Sequence, residues 1–346
     1  MGIHLRVQRN GANIPEWGWA RYAGDREFCE LSLPQRQHPS AAREIKVPIF
    51  KRKEKDLVPC PICHPTEPWF RIGRMAWFPE ERVVRFIGHD CAKRHYQGEF
   101  DVAEKRYRKE ARIRYLQRRW SEIAPNAGRL MNAAAALSEI AKALEDVRAE
   151  IDQKARGLSK FFGAELSRNS GRIEIKIDTG VKDNQGNAVI GTDVLGTAVG
   201  TEFWGRPFVP YQQLLTLMRD IEDLSRPLPT WRGEELASQH ETEILDRGAS
   251  ADALPDRLDD LTLLLFWSQM FFEPDNLALL ERWGKNAGSP FQSLVCRFDD
   301  GRLVIASNSF FAYHYANPEV PPHALVRPPR LSSEILNLRR PMARNR

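Results

Sequence analysis

"LMNAAAALSEIAKALEDVRAEI", Leu130 to Ile151, decides how the middle of this chain folds. Leu130, Ala133, Leu137, Ile140, Leu144, Val147 and Ile151 recur at alternating steps of three and four, an a/d heptad pattern sustained over three heptads. Such a seam predicts a coiled coil, either between two copies in a homo-oligomer or within one chain as a helical hairpin over 130–151. The competing reading is one apolar face of a globular bundle.

Working upstream, the chain is rich in helix formers from Asp101 to Ile123, with Ile113, Leu116, Trp120 and Ile123 in an apolar stripe. Pro125 and Gly128 predict a kink or turn between this helix and the heptads. Within "EKRYRKEARIRYLQRRW", Glu104 to Trp120, eight Lys or Arg residues stand against two Glu. At about 100° per residue, Lys105, Arg108, Arg112 and Arg119 share one stripe beside the apolar one. Guanidinium groups bind two oxygens at once, which suits phosphate. With Lys51, Arg52 and Lys53 upstream, this stripe is a candidate nucleic-acid surface. The bland reading is a solvated helix face.

Downstream the texture turns to strands. "RIEIKID" places Ile173, Ile175 and Ile177 on one face, "KDNQGNA" is a turn, and "VIGTDVLGTAVGTEFW" is Gly-spaced and β-like. Helices are expected over Tyr211 to Leu224, through "GEELASQHETEILDRG", and over Leu258 to Phe272. "FQSLVCRFDDGRLVIAS" is a hairpin about Asp299-Asp300-Gly301, with Cys296 as buried packing. The Pro- and Arg-rich stretch after Pro321 has the composition of a partly disordered tail. The run "LTLLLFWSQMFF", Leu261 to Phe272, is too short to span a bilayer and predicts a buried helix. No membrane association is expected.

The formal net charge of +5 over 346 residues hides a division. Residues 1–130 carry 26 Lys or Arg against 16 Asp or Glu, residues 131–326 carry 19 against 29, and residues 327–346 carry 6 against 1. Nucleic acid is the commonest partner of a basic region, and the acidic middle of the same chain is the competing one.

Three of the five cysteines and three of the eight histidines fall in "VPCPICHPTEPWF", Val58 to Phe70, and "FIGHDCAKRH", Phe86 to His95. Cys60 and Cys63 have the C-x2-C spacing that directs two sulfurs at one ion. Strand-like "WFRIGRMAWF" and "RVVRFIG" follow, and then a helix with Asp90 as its expected N-cap. On that helix Cys91 and His95 stand at i and i+4, on one face. Trp69, Phe70, Trp77 and Phe78 are read as a small core, with base stacking the alternative.

Knuckle, hairpin and ligand-bearing helix, in that order, resemble a treble-clef zinc finger over about residues 58–97. The resemblance implies Cys60, Cys63, Cys91 and His95 as ligands of one Zn²⁺, with His89 or His64 as alternates. Four protein ligands fill a tetrahedral site and leave no position for water, so the ion is expected to be structural. The deaminase order, His-x-Glu before Cys-x-x-Cys, is absent, as is H-E-x-x-H. Clustered cysteines at metal spacing fit a reducing, cytoplasmic setting better than a disulfide framework.

The chain is therefore expected to be a multi-domain α+β protein. A β-rich segment (1–57) precedes the zinc module (58–100), the long basic and heptad-patterned helices (101–165), an α+β domain (166–320) and a basic tail (321–346). The expected function is non-enzymatic: zinc-stabilised nucleic-acid binding or assembly. The alternatives are a metal-dependent, HNH-like nuclease, or a protein–protein adaptor acting through the acidic C-terminal domain.

Overall fold

A computed structural model describes the chain from residue 83 to 339, except 183–184, 187, 206, 231–237, 287 and 309–312. Before residue 83 it describes the strand segments 5–7, 13–15, 58–60, 64–70 and 73–78. Ahead of Glu110, the side chains described are those of Asp90, Arg94, Lys105, Arg108 and Lys109. The described chain is α+β and divides into two compact units, Met1–Leu116 with Trp231–Glu241, and Gln117–Thr230 with Thr242–Arg346.

In the first unit the strands form antiparallel pairs: β1 (Leu5–Val7) with β2 (Asn13–Pro15), β3 (Val58–Cys60) with β4 (His64–Phe70), and β5 (Gly73–Phe78) with β6 (Val83–Gly88). Helix α1 (His89–Ile123) follows β6 directly. It ends where Pro125 was expected to break it, in a 3-10 turn over Ala124–Asn126.

The heptad stretch forms two helices in the second unit, α2 (Ala127–Ala135) and α3 (Ser138–Lys154). Between them the Leu137 N–H bonds to the Ala134 carbonyl at 3.0 Å, a tightened turn that interrupts the seam. Leu130, Leu137, Ile140, Leu144, Val147 and Ile151 are buried in the chain's own core. So are Ala134, Ala141 and Ala143, while Ala133 is only half-buried. This face is wider than an a/d seam, as a helix packed on several neighbours requires. The described residues accordingly show no long coiled coil, and the bundle reading holds in its place. Each buried Leu, Ile or Val side chain of this face contributes about 1.5–3 kcal/mol by leaving water.

Helices α4 (Arg156–Arg168), α5 (Pro210–Glu222), α6 (Ser238–Met270) and α7 (Pro274–Lys285) complete the helical layer. The two helices expected between Gly233 and Phe272 are one, running through Pro255. Its last turns are amphipathic: Leu261 and Leu265 are buried, whereas Leu263 and Trp267 are exposed. The hairpin of β7 (Arg172–Lys182) and β8 (Ala188–Thr197) buries Ile173 and Ile175 and leaves Ile177 exposed. Gly200 sits at φ +73, and a Cβ there would lie 2.0 Å from the Phe271 nitrogen, so only glycine fits. Phe203, Trp204, Phe271 and Phe272 pack around that point with ring centroids 5.0–5.4 Å apart.

The expected C-terminal hairpin forms as β9 (Ser293–Asp299) and β10 (Arg302–Asn308), with positive φ at Asp300 and Gly301 as a tight hairpin turn needs. A third strand, β11 (Tyr313–Ala316), pairs with β10. The stretch after Pro321 departs from the disordered expectation as far as Arg339. It holds a 3-10 turn at Pro322–Leu325 and helix α8 (Ser333–Asn337), with Ala324 and Ile335 buried. Arg339 donates to Asp256 at 3.2 Å and also pairs with Asp259 on α6, which holds the tail to the fold. None of the described helices is long and apolar enough to cross a membrane.

One ion-pair knot in this unit makes stability depend on pH. Asp223 accepts from Arg247 Nε at 2.6 Å and Arg226 Nε at 2.9 Å, and Arg247 lies 5.1 Å from the Trp120 ring centroid. Burial raises the Asp223 pKa, but the two guanidiniums outweigh it and hold the carboxyl below its ordinary 3.8. A folded-state pKa below the unfolded one gives stability that is complete above the unfolded value and is lost as pH falls through the folded value. Acid titration of thermal stability is expected to fall below about pH 4, and less steeply in Asp223→Asn. Parallel curves for the two proteins would remove Asp223 from the account.

Candidate metal module and basic helix face

Cys60 is the last residue of β3, and its ladder partner is His64, the first residue of β4. Three residues therefore connect the strands, and Cys63 among them lies outside the described residues. The β5–β6 ladder runs from Gly73↔Gly88 to Phe78↔Val83, and α1 begins at the next residue, His89. Asp90, expected as the N-cap, falls in the helix's first turn, where a carboxylate still favours the helix dipole. Cys91 and His95 stand one turn apart on α1.

The side chains of Cys60, Cys63, His64, His89, Cys91 and His95 lie outside the described set, as do Lys51, Arg52, Lys53, Cys29 and the rings of Trp69, Phe70, Trp77 and Phe78. Of the expected ligands, Cys60 ends β3 and Cys91 and His95 lie in α1. Among the described residues, no group of three or more His, Cys, Asp or Glu side chains is placed to hold a metal ion.

The cationic stripe divides. Lys105, Arg108 and Arg112 are exposed, and so is Arg94 one stretch earlier. These four fall within about 60° of one another around α1, over about 27 Å of its length. Tyr115 lies under Arg112, with 5.1 Å from guanidinium carbon to ring centroid. Lys109 is paired with Glu241, and Arg114 with Glu110 at 3.0 Å.

Arg119 is not part of this surface. It is buried and donates to Asp252 at 2.9 Å, Glu122 at 2.6 Å and the Leu338 carbonyl. Burial lowers its pKa, the Asp252 and Glu122 hydrogen bonds outweigh that, and the net shift is upward. Helical phase alone placed Arg119 with Arg112. Its buried acidic partner, Asp252, comes from 133 residues away, and no local pattern announces that.

Arg148 is a second buried cation, and its role is absent from the heptad reading although it stands four residues from Leu144 on the buried face. Asp259 and Asp260 lie inside α6, with Asp259 tied to Arg339. Cys296 is buried, its thiol pKa pushed well up by burial and by Glu281, so it is inert packing as expected. A cleft of about 350 Å³ between α5 and α6 is lined by Gln213, Thr216, Leu217, Arg257, Asp260 and Leu264. Its cation Arg257 is paired with Asp220.

No protein-family model, curated protein or solved structure matches the chain.

Proposed function

We propose that this chain is a non-enzymatic, zinc-stabilised nucleic-acid-binding or assembly protein. In it Cys60, Cys63, Cys91 and His95, with His89 or His64 as alternates, hold a structural zinc, and α1 presents its cations to phosphate. The supporting observation is the exposure of Lys105, Arg108 and Arg112 on one face of the helix that carries two of the candidate ligands. A closed four-ligand ion fixes a backbone and offers no water for chemistry. A row of side chains at one helical phase meets successive phosphates and reads no sequence.

The test is fluorescence anisotropy with a labelled DNA duplex across a salt series. Neutralising one phosphate contributes about 0.9 to the slope of log affinity against log salt. Lys105→Ala/Arg108→Ala/Arg112→Ala is expected to weaken binding and to cut that slope by about two to three, with circular dichroism unchanged. Absence of binding at low salt, or an unchanged slope in the triple variant, sinks the proposal. Plasmid nicking in Mg²⁺ or Mn²⁺ that disappears in folded His89→Ala would replace it by the nuclease.

A further inference from the structure

Among the described residues β7 and β8 form a sheet of two strands, so each has an edge that no strand covers. The two edges differ. A Cβ on Gly288 would lie 2.5 Å from the Lys176 oxygen and 2.7 Å from its nitrogen, so the chain beyond α7 lies along the edge of β7. The same contact shows that the backbone groups of Lys176 point away from β8. In an antiparallel ladder the opposed residue then points its groups outward too, and the sense alternates along the strand. Thr192 stands opposite Lys176, so Ala188, Ile190, Thr192 and Val194 turn their N–H and C=O groups to the outer edge of β8. The Val189 carbonyl accepts from the Thr179 hydroxyl at 2.6 Å, and so turns toward β7 as this alternation requires.

Proteins commonly guard such an edge with a charge or a proline. β8 has neither from Ala188 to Thr192, where it reads Ala-Val-Ile-Gly-Thr. Ile190 is 57% exposed, and Val189 is exposed beside it. The open run has a definite end, because the Val194 N–H is already bonded to Asp193 Oδ1 at 2.8 Å. What remains, 188–192, is centred on Ile190.

We propose that β8 pairs with β8 of a second copy of this chain, antiparallel about a two-fold axis at Ile190. Self-complementarity sets the occupant. In this register Ile190 exchanges backbone bonds with the partner's Ile190, and Ala188 with the partner's Thr192, so every open group of the run is used. Between these rows Val189 lies opposite the partner's Gly191, in the closer-set kind of pair, where a branched side chain needs a small neighbour. Like charges do not meet, since the one charged residue of β8, Asp193, falls beyond the paired run. An axis at Gly191 would set Ala188 against the partner's Val194, whose N–H is taken, and Val189 against the partner's Asp193. An axis at Val189 would leave the Thr192 groups past the start of the partner's strand. A strand of other sequence would gain nothing from this symmetry. One edge pairing buries less than the about 1,200–2,000 Å² of a standard interface, so the dimer is weak and reversible. It depends neither on zinc nor on the α1 stripe.

The test is sedimentation equilibrium of the full chain at rising concentration, in which a monomer–dimer equilibrium is expected. Ile190→Lys and Ile190→Glu each set a like charge against itself across the axis and remove the apolar contact there. Each is expected to weaken the dimer by roughly tenfold or more. An equimolar mixture of the two variants recovers association, because lysine then faces glutamate across the axis. Val181→Lys, on the neighbouring strand at an equally exposed position, dimerises as the wild type does. A wild-type chain that stays monomeric at high micromolar concentration overturns the proposal. So does unaltered dimerisation in both Ile190 variants, and so does a mixture that associates no better than either variant alone.

Discussion

On the proposed zinc reading, chelation of the metal is expected to unfold residues 58–100 and to leave the core of the second unit melting as before. The described strands of the first unit form two-stranded ladders, and an isolated two-stranded hairpin is marginal in water. A segment of about forty residues usually needs a metal, a disulfide or a partner to fold. A structural zinc site supplies on the order of 10–16 kcal/mol, as much as the whole stability of an ordinary domain. Loss of one ligand should therefore abolish the fold of the segment rather than weaken it. Cys60→Ala, Cys63→Ala and Cys91→Ala are each expected to lose the metal, to open the segment to protease and to leave the second unit's thermal transition in place. His95→Ala separates the ligand sets: retained zinc would move the fourth position to His89 or His64. Elemental analysis checks the premise, and a content well below one zinc per chain would remove the metal altogether.

The β9–β10 hairpin was legible because Asp300-Gly301 supplies two positive φ values between alternating apolar residues. The end of α1 was legible because of Pro125. Both are local events, written in a few neighbouring side chains. The heptads were legible as an apolar face, but not as to what that face meets. Ala134, Ala141 and Ala143 are buried in it, and alanine carries too weak a hydrophobic signal to reveal the extra width. Arg119 and Arg339 failed for one reason, that acids remote in sequence, Asp252 for one and Asp256 and Asp259 for the other, take them off the surface or out of the tail. β11 is four residues long and was not anticipated, since Tyr-His-Tyr-Ala is too short a run for a period to be read.

Arg148→Ala is expected to destabilise the second unit by about 3–5 kcal/mol, the cavity cost of truncating a large buried side chain together with the cost of a buried carbonyl left without its donor. Arg148 is 1% exposed. It donates from Nη1 to the Phe203 carbonyl at 2.9 Å and from Nη2 to Ser159 Oγ at 3.2 Å, and its Nε lies 3.3 Å from Asp152 Oδ2. It also stacks on Trp204 at 4.9 Å and Phe203 at 5.8 Å. Three losses follow truncation: a cavity under two aromatic rings, a buried carbonyl without its donor, and a weakened hold on α4 through Ser159. The stranded anion is not the main cost, because Asp152 keeps 42% of its side chain in water and can be solvated there. Arg148→Met tests that apportionment. It fills most of the volume and removes the charge, so the packing loss is small and what remains is the unmet carbonyl, worth about 1–3 kcal/mol. Asp152→Ala should cost less than either. Thermal melts decide the order, at about 2–4 °C per kcal/mol for a unit of this size. The midpoint should fall by roughly 6–20 °C in Arg148→Ala, by less in Arg148→Met, and least in Asp152→Ala. A fall in Asp152→Ala as large as in Arg148→Ala would make the ion pair, and not the aromatic and carbonyl contacts, the reason a cation sits in this core.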